Sequence, residues 1–153
     1  MEKSEKKRII LKAGLEKQEE IANDFKTSIQ EIKDSARLLN ESQYDSQQAS
    51  LNDENNERID ALTGQLNFVK EELDLLHRLN IDAPLHDTVH VGSVVVTNKR
   101  TFFISVSLEE FEVKGEKFFG ISTKAPIYPE MRGKAAGDHF EFNGTKYSIE
   151  DIF

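Results

Sequence analysis

The sequence predicts an α+β protein, an N-terminal antiparallel coiled-coil hairpin followed by a small β-sheet domain with one short helix. Two apolar runs predict the hairpin. Ala22, Phe25, Ile29, Ile32, Ala36 and Leu39 are spaced 3-4-3-4-3, as are Ile59, Leu62, Leu66, Val69, Leu73 and Leu76, which is the seam of a coiled coil. The runs are mirror images about residue 49. Folding the chain back there sets Leu39 against Ile59, Ala36 against Leu62, Ile32 against Leu66, Ile29 against Val69, Phe25 against Leu73 and Ala22 against Leu76. A change of composition predicts the second half: up to about Ile81 there are only Gly14 and Gly64 and no proline, whereas all three prolines and six of the eight glycines follow. Glycine and proline punctuate short strands and turns.

The elements follow in order. Residues 1–81 form the arm, with its tip at residue 49. An apolar strip of Ile9, Ile10, Leu11 and Leu15 precedes the seam and has no partner in this register. Charge is unevenly placed along the arm. Residues 1–12 carry Lys3, Lys6, Lys7, Arg8 and Lys12 against Glu2 and Glu5, while residues 38–60 carry Glu41, Asp45, Asp53, Glu54, Glu57 and Asp60 against Arg58. Residues 82–90 read as a linker and 91–153 as the sheet domain. The runs VHVGSVVVTN, RTFFISVSL, EKFFGIS, DHFEFNG and TKYSIEDIF read as strands, with Asn143-Gly144 as a hairpin turn. PIYPEMRGK reads as a short helix that Gly133 stops. Alternation along the strands puts Phe102, Phe103, Phe118, Phe119, Phe140 and Phe142 in the sheet's core.

Composition excludes several functional classes. A chain of 153 residues with 37% hydrophobic and 31% charged residues suits one or two small domains with modest cores. Its apolar runs fall short of the ~20 residues of a bilayer span, and MEKSEKKRII lacks the apolar stretch of a signal peptide, so a cytoplasmic location without membrane contact is expected. Without cysteine there is no disulfide, thiolate nucleophile or thiolate metal site. A net charge of -8 disfavours broad neutralisation of nucleic-acid phosphates. His77, His86, His90 and His139 show no metal-ligand spacing, and they read as surface or strand residues.

The stretch GISTKAPIYPEMRGKAAGDHFEFNGTKYSIEDI resembles the C-terminal domain of the Gre-type bacterial transcript-cleavage factors. Ile121, Ser122, Pro126, Ile127, Gly133, Lys134, Gly137 and Asp138 carry the resemblance, and Ala125 stands where that family has a serine. The order of an arm before this domain matches as well. The resemblance implies an FKBP-like fold for the sheet domain and bacterial RNA polymerase as partner, with indirect contact to nascent RNA. It further implies docking through Ser122, Lys124, Pro126 and Ile127, and insertion of the arm into the secondary channel. Family members present two tip acids, in a D-x-x-E arrangement, that help hold a Mg2+ at the polymerase active centre for hydrolysis of backtracked RNA. Here Asp45 falls at the second acidic position, Ser42 occupies the first, and Glu41 precedes it by one. Asp45 and Glu41 are therefore the candidate catalytic and shared Mg2+ ligands, assisting the polymerase, with no cofactor bound tightly by the chain alone. Asp53, opposite Asp45 in the mirror register, is a substitute acid. Tyr44 stacks on a partner or caps the coil. Such a chain is an accessory factor, not itself an enzyme, and a monomer is expected.

Three functional classes stay open on the sequence. The first is an elongation factor that stimulates cleavage. The second is a secondary-channel regulator without cleavage activity, which Ser42 favours. The third, a prolyl isomerase or a coiled-coil adaptor, rests only on the fold and the arm. An isomerase needs an aromatic-lined apolar pocket, and few aromatics remain once the core is filled.

Overall fold

The computed structural model describes residues 2–42, 46–79 and 84–153, with side chains described outside 40–49. Among the described residues are helices α1 (Lys3–Ser42) and α2 (Ser46–Arg78) and a one-turn helix α3 (Tyr128–Met131). The strands are β1 (Val94–Thr97), β2 (Thr101–Ser105), β3 (Leu108–Val113), β4 (Glu116–Ser122), β5 (His139–Phe142) and β6 (Thr145–Ile152). They form one six-stranded sheet in the order β3-β4-β2-β1-β6-β5. Strands β2 and β4 are parallel, and the other neighbours are antiparallel. The chain is thus α+β. None of its described helices is long and apolar enough to cross a membrane.

Two compact units partition the chain within its long helices: residues Lys17–Leu73 form one, and Met1–Glu16 with Asp74–Phe153 the other. In the second unit each sheet face has its own core, because successive side chains of a strand point to opposite faces. Phe102, Ile104, Ile121, Tyr147 and Ile149 pack on one face beneath Tyr128 and Met131. Val94, Phe103, Phe118 and Phe153 pack on the other with Ile10, Leu11 and Leu76. The apolar strip at residues 9–15 therefore has its partner in the sheet. Ile10 and Leu76 are fully buried there. Helix α1 lies close to the strands at Gly14, where an added Cβ would stand 3.4 Å from Leu108 Cδ1.

The arm unit corrects the mirror register. Its core joins Ile21, Ala22, Phe25 and Ile29 of α1 to Ile59, Leu62, Leu66, Val69 and Leu73 of α2. Leu39, expected to cover Ile59, is 42% exposed, and Leu76, expected opposite Ala22, belongs to the sheet-facing core. Residue 49, expected at the turn, lies within α2, and the pairing has moved by about one heptad. A heptad seam is nearly indifferent to such a slip, because apolar residues still face apolar residues. A polar layer breaks the degeneracy. Gln18, on the seam and 1% exposed, donates from Nε2 to Glu72 Oε1 at 3.0 Å.

The strand readings also gain one element. Residues 108–113, read in part as the end of the preceding strand, form the edge strand β3, joined to β4 through Lys114-Gly115, both with positive φ. Glu109, Glu110 and Glu112 on this edge mask its apolar alternation, and such charges protect an exposed sheet edge from pairing. Asn143-Gly144 forms the expected hairpin turn, with φ of 50° and 76°. The short helix is confined to Tyr128–Met131, and Gly133 follows it with φ 75°.

Candidate functional site

The loop from β4 to α3 carries all four candidate docking residues. Ser122 ends β4, and its Oγ accepts the Lys124 N–H at 3.1 Å. The Ser122 carbonyl accepts from Ala125 N and the Ala125 carbonyl from Tyr128 N, each at 3.0 Å. These bonds curl the backbone tightly, so Lys124 and Pro126 are exposed while Ile127 is half-buried against the core beneath α3. Ala125 also packs half-buried there. The loop is thus a rigid, mixed polar and apolar projection on a sheet scaffold, the kind of position where recognition residues are commonly found.

The residues behind this loop fix it in place. Gly133 N donates to the Val89 carbonyl and Val89 N to the Lys134 carbonyl, both at 2.9 Å. Asp138 Oδ2 accepts from Ala135 N at 2.8 Å, and Gly137, at φ 92°, donates to the Ile149 carbonyl. The Gly-Lys and Gly-Asp pairs are therefore turn-forming and architectural.

The arm-tip candidates fall largely outside the described side chains. Tyr44 and Asp45 lie outside the described residues. Glu41 lies in α1, one residue before the last described residue of that helix. Asp53 is exposed about two turns into α2. Among the described residues no three His, Asp or Glu side chains converge to hold a metal. The N-terminal cations are engaged by the sheet: Lys3 pairs with Asp151 at 2.8 Å and Lys6 with Glu116 at 2.7 Å.

One cluster escaped the sequence reading. His86 and His90 stack with ring centroids 3.6 Å apart. Fully buried Ser93 organises them: its Oγ donates to the Thr88 carbonyl at 3.3 Å, accepts the His90 N–H at 3.0 Å and lies 2.7 Å from His86 Nδ1, which is left to donate to it. Gly92 allows the close approach; a Cβ there would stand 3.3 Å from His86 Cε1 at a φ of 90°. Burial, then the charge of Lys7 and the neighbouring His90, push His86 down to about 4, against a smaller opposing effect of Asp87. Lys7, itself buried, is lowered by desolvation. Metal-ligand spacing gave no signal of this group, since a local loop built on Ser93 and the Thr88 carbonyl brings the two rings together.

No protein-family model and no curated protein matches the chain. Among solved structures, the chain is similar to GreA factor homolog 1 (Gfh1) protein of Thermus thermophilus, with 17% identity over 93% of this chain and 96% of that one and a TM-score of 0.34. A structure described as the transcription factor Gfh1 gives 19% identity over 92% and 94%, with a TM-score of 0.33.

Proposed function

We propose that this chain is an RNA polymerase-binding elongation factor of the Gre type. In this reading the sheet domain, FKBP-like in fold, docks at the rim of the polymerase secondary channel. The two-helix arm enters the channel and stimulates cleavage of backtracked RNA. One observation carries the proposal: the residues of the Gre-type resemblance, from Ile121 to Asp138, build one braced loop in a sheet domain whose chain also contains a two-helix arm. Ser122, Lys124, Pro126 and Ile127 would contact the polymerase. Asp45, with Glu41, would approach the active centre, and two carboxylates there would share a Mg2+ that the polymerase already holds. The hydrolysis is the polymerase's own.

The test is to incubate the full chain with a stalled, backtracked polymerase and follow the length of the RNA. Shortened RNA is expected, and Asp45→Ala should abolish most of it while leaving binding unchanged, because a metal ligand contributes several kcal/mol of transition-state stabilisation. Ser42, at the first acidic position, favours a second reading in which the factor binds and regulates without cleavage. Ser42→Asp separates the two: no shortening by either protein, despite tight binding, leaves the non-cleaving regulator.

A further inference from the structure

We infer that the β1–β2 turn, with the neighbouring start of β4, is a receptor for an acidic segment of a partner protein. The turn is unusually well braced. Thr97 Oγ1 accepts the N–H groups of Lys99 at 3.2 Å and Arg100 at 3.0 Å and donates to the Arg100 carbonyl at 2.7 Å. Next to it, Asn98 Oδ1 accepts from Ser148 N at 2.8 Å and Asn98 N donates to the Ser148 carbonyl at 3.0 Å. Two exposed cations are thereby held on a backbone with little freedom left to lose, which lowers the entropic cost of binding.

The side chains are arranged to receive carboxylates. The guanidinium of Arg100 lies over the ring of Phe119, 4.6 Å from its centroid. This cation–π contact holds the guanidinium beside the cavity, and an arginine fork is the group that grips a carboxylate in a bidentate manner. The pairing of Thr101 with Phe118 brings Lys117 beside Arg100. Thr97, Lys99, Arg100, Lys117 and Phe119 line one open cavity of about 270 Å³. Among the described residues no carboxylate pairs with Lys99 or Arg100, whereas Lys3 and Lys6 are both neutralised by the sheet. Glu110 pairs with Lys117 at 3.3 Å, and an incoming carboxylate would exchange with it.

Charge decides the class of partner. Three cations and one carboxylate around a cavity, in a chain of net charge -8, offer too little positive surface for a nucleic-acid strand, whose binding grows with the number of phosphates neutralised. The Glu110 carboxylate would also repel a phosphate backbone. A polypeptide bearing two or three carboxylates matches the site in charge and size. The site does not depend on the proposed function. It lies at the opposite end of β2 and β4 from Ser122, five residues or ~16 Å away at ~3.3 Å per residue.

Titrating the isotope-labelled full chain with a glutamate-rich decapeptide, at low salt and followed by amide NMR, tests the proposal. Saturable shifts confined to Thr97–Phe102 and Lys117–Phe119 are expected. Arg100→Glu should weaken binding about tenfold or more, and Arg100→Lys, which keeps the charge but loses the planar guanidinium fork, about threefold. Arg100 is exposed, so unchanged spectra elsewhere report an intact fold. Shifts centred on the lysines of α1, or equal affinity for wild type and Arg100→Lys, would overturn the inference. Tighter binding of a single-stranded RNA decanucleotide at this turn would make it a nucleic-acid site, and equal saturation by inorganic phosphate alone a simple anion site; either outcome also overturns it.

Discussion

Gly120 shows how one residue licenses a local geometry. Strand β3 is irregular between Leu108 and Phe111 where it meets β4, and an added Cβ at Gly120 would stand 2.5 Å from the Val106 carbonyl oxygen and 2.6 Å from Leu108 Cβ. Backbone cannot yield as a flexible side-chain end does. Gly120→Ala should therefore destabilise the protein by about 1–3 kcal/mol, seen as a lower midpoint in urea unfolding. His86 makes a second prediction, about pH. Its folded value of about 4 lies below the 6.5 usual for an imidazole, so between these values the unfolded chain binds more protons than the folded one. Stability is then fully present above about 6.5 and is lost as pH falls toward 4. The loss is moderated because the ring is only half-buried. His86→Gln should flatten the fall in urea midpoint between pH 7 and pH 5; an unchanged slope would show that other groups carry it.

Whole elements were legible wherever a pattern repeats. The two seams identified the helices by their period, and the β-branched run Val94–Val95–Val96 between turn residues identified the first strand. Register was not legible. A 3-4 seam looks the same after sliding one heptad, and the mirror symmetry about residue 49 therefore selected one of two near-equivalent pairings. What selects the other is Gln18 finding Glu72, together with the burial of Leu76 in the sheet core. Spin labels at exposed Glu31 and Asp60 can decide between them. In the observed pairing these positions are nearly level, whereas in the mirror pairing they are offset by seven residues, ~10 Å along the axis at ~1.5 Å per residue. A single short distance distribution is expected for the wild-type sequence. Gln18→Leu removes the buried Oε1 that lacks a partner among the described residues and also removes the polar layer that fixes register. It should add a second, longer population without loss of helix content. A longer distance in the parent protein would refute the observed pairing.

At the scale of the whole molecule, sequence reasoning divided the chain at its change of composition, but packing unites residues 1–16 with 74–153. Helix ends far apart in sequence could not be seen to share the sheet's core, because Ile10, Leu11 and Leu76 carry the same helical spacing as the arm. The candidate site divides in the same way: the docking loop was legible from a local motif, the histidine cluster depends on a loop conformation with no motif of its own, and Arg100 over Phe119 arises only from tertiary contact. A fragment beginning at residue 84 would leave one sheet face without Ile10 and Leu76, so function is better tested in chains that keep both helix ends. Periodicity offers such a test. Deleting residues 26–32 and 59–65 together removes one heptad from each helix at matching levels, which preserves the seam and leaves the sheet unit untouched. The arm then becomes ~10 Å shorter at ~1.5 Å per residue. If the sheet domain docks and the arm acts by reach, the shortened protein should bind polymerase with unchanged affinity in a competition assay. It should fail to shorten backtracked RNA, since a carboxylate held ~10 Å from a metal cannot coordinate it at the ~2.1 Å that Mg2+ requires. Weakened binding would place part of the docking energy in the deleted heptads, and undiminished cleavage would exclude any role for the tip at the active centre.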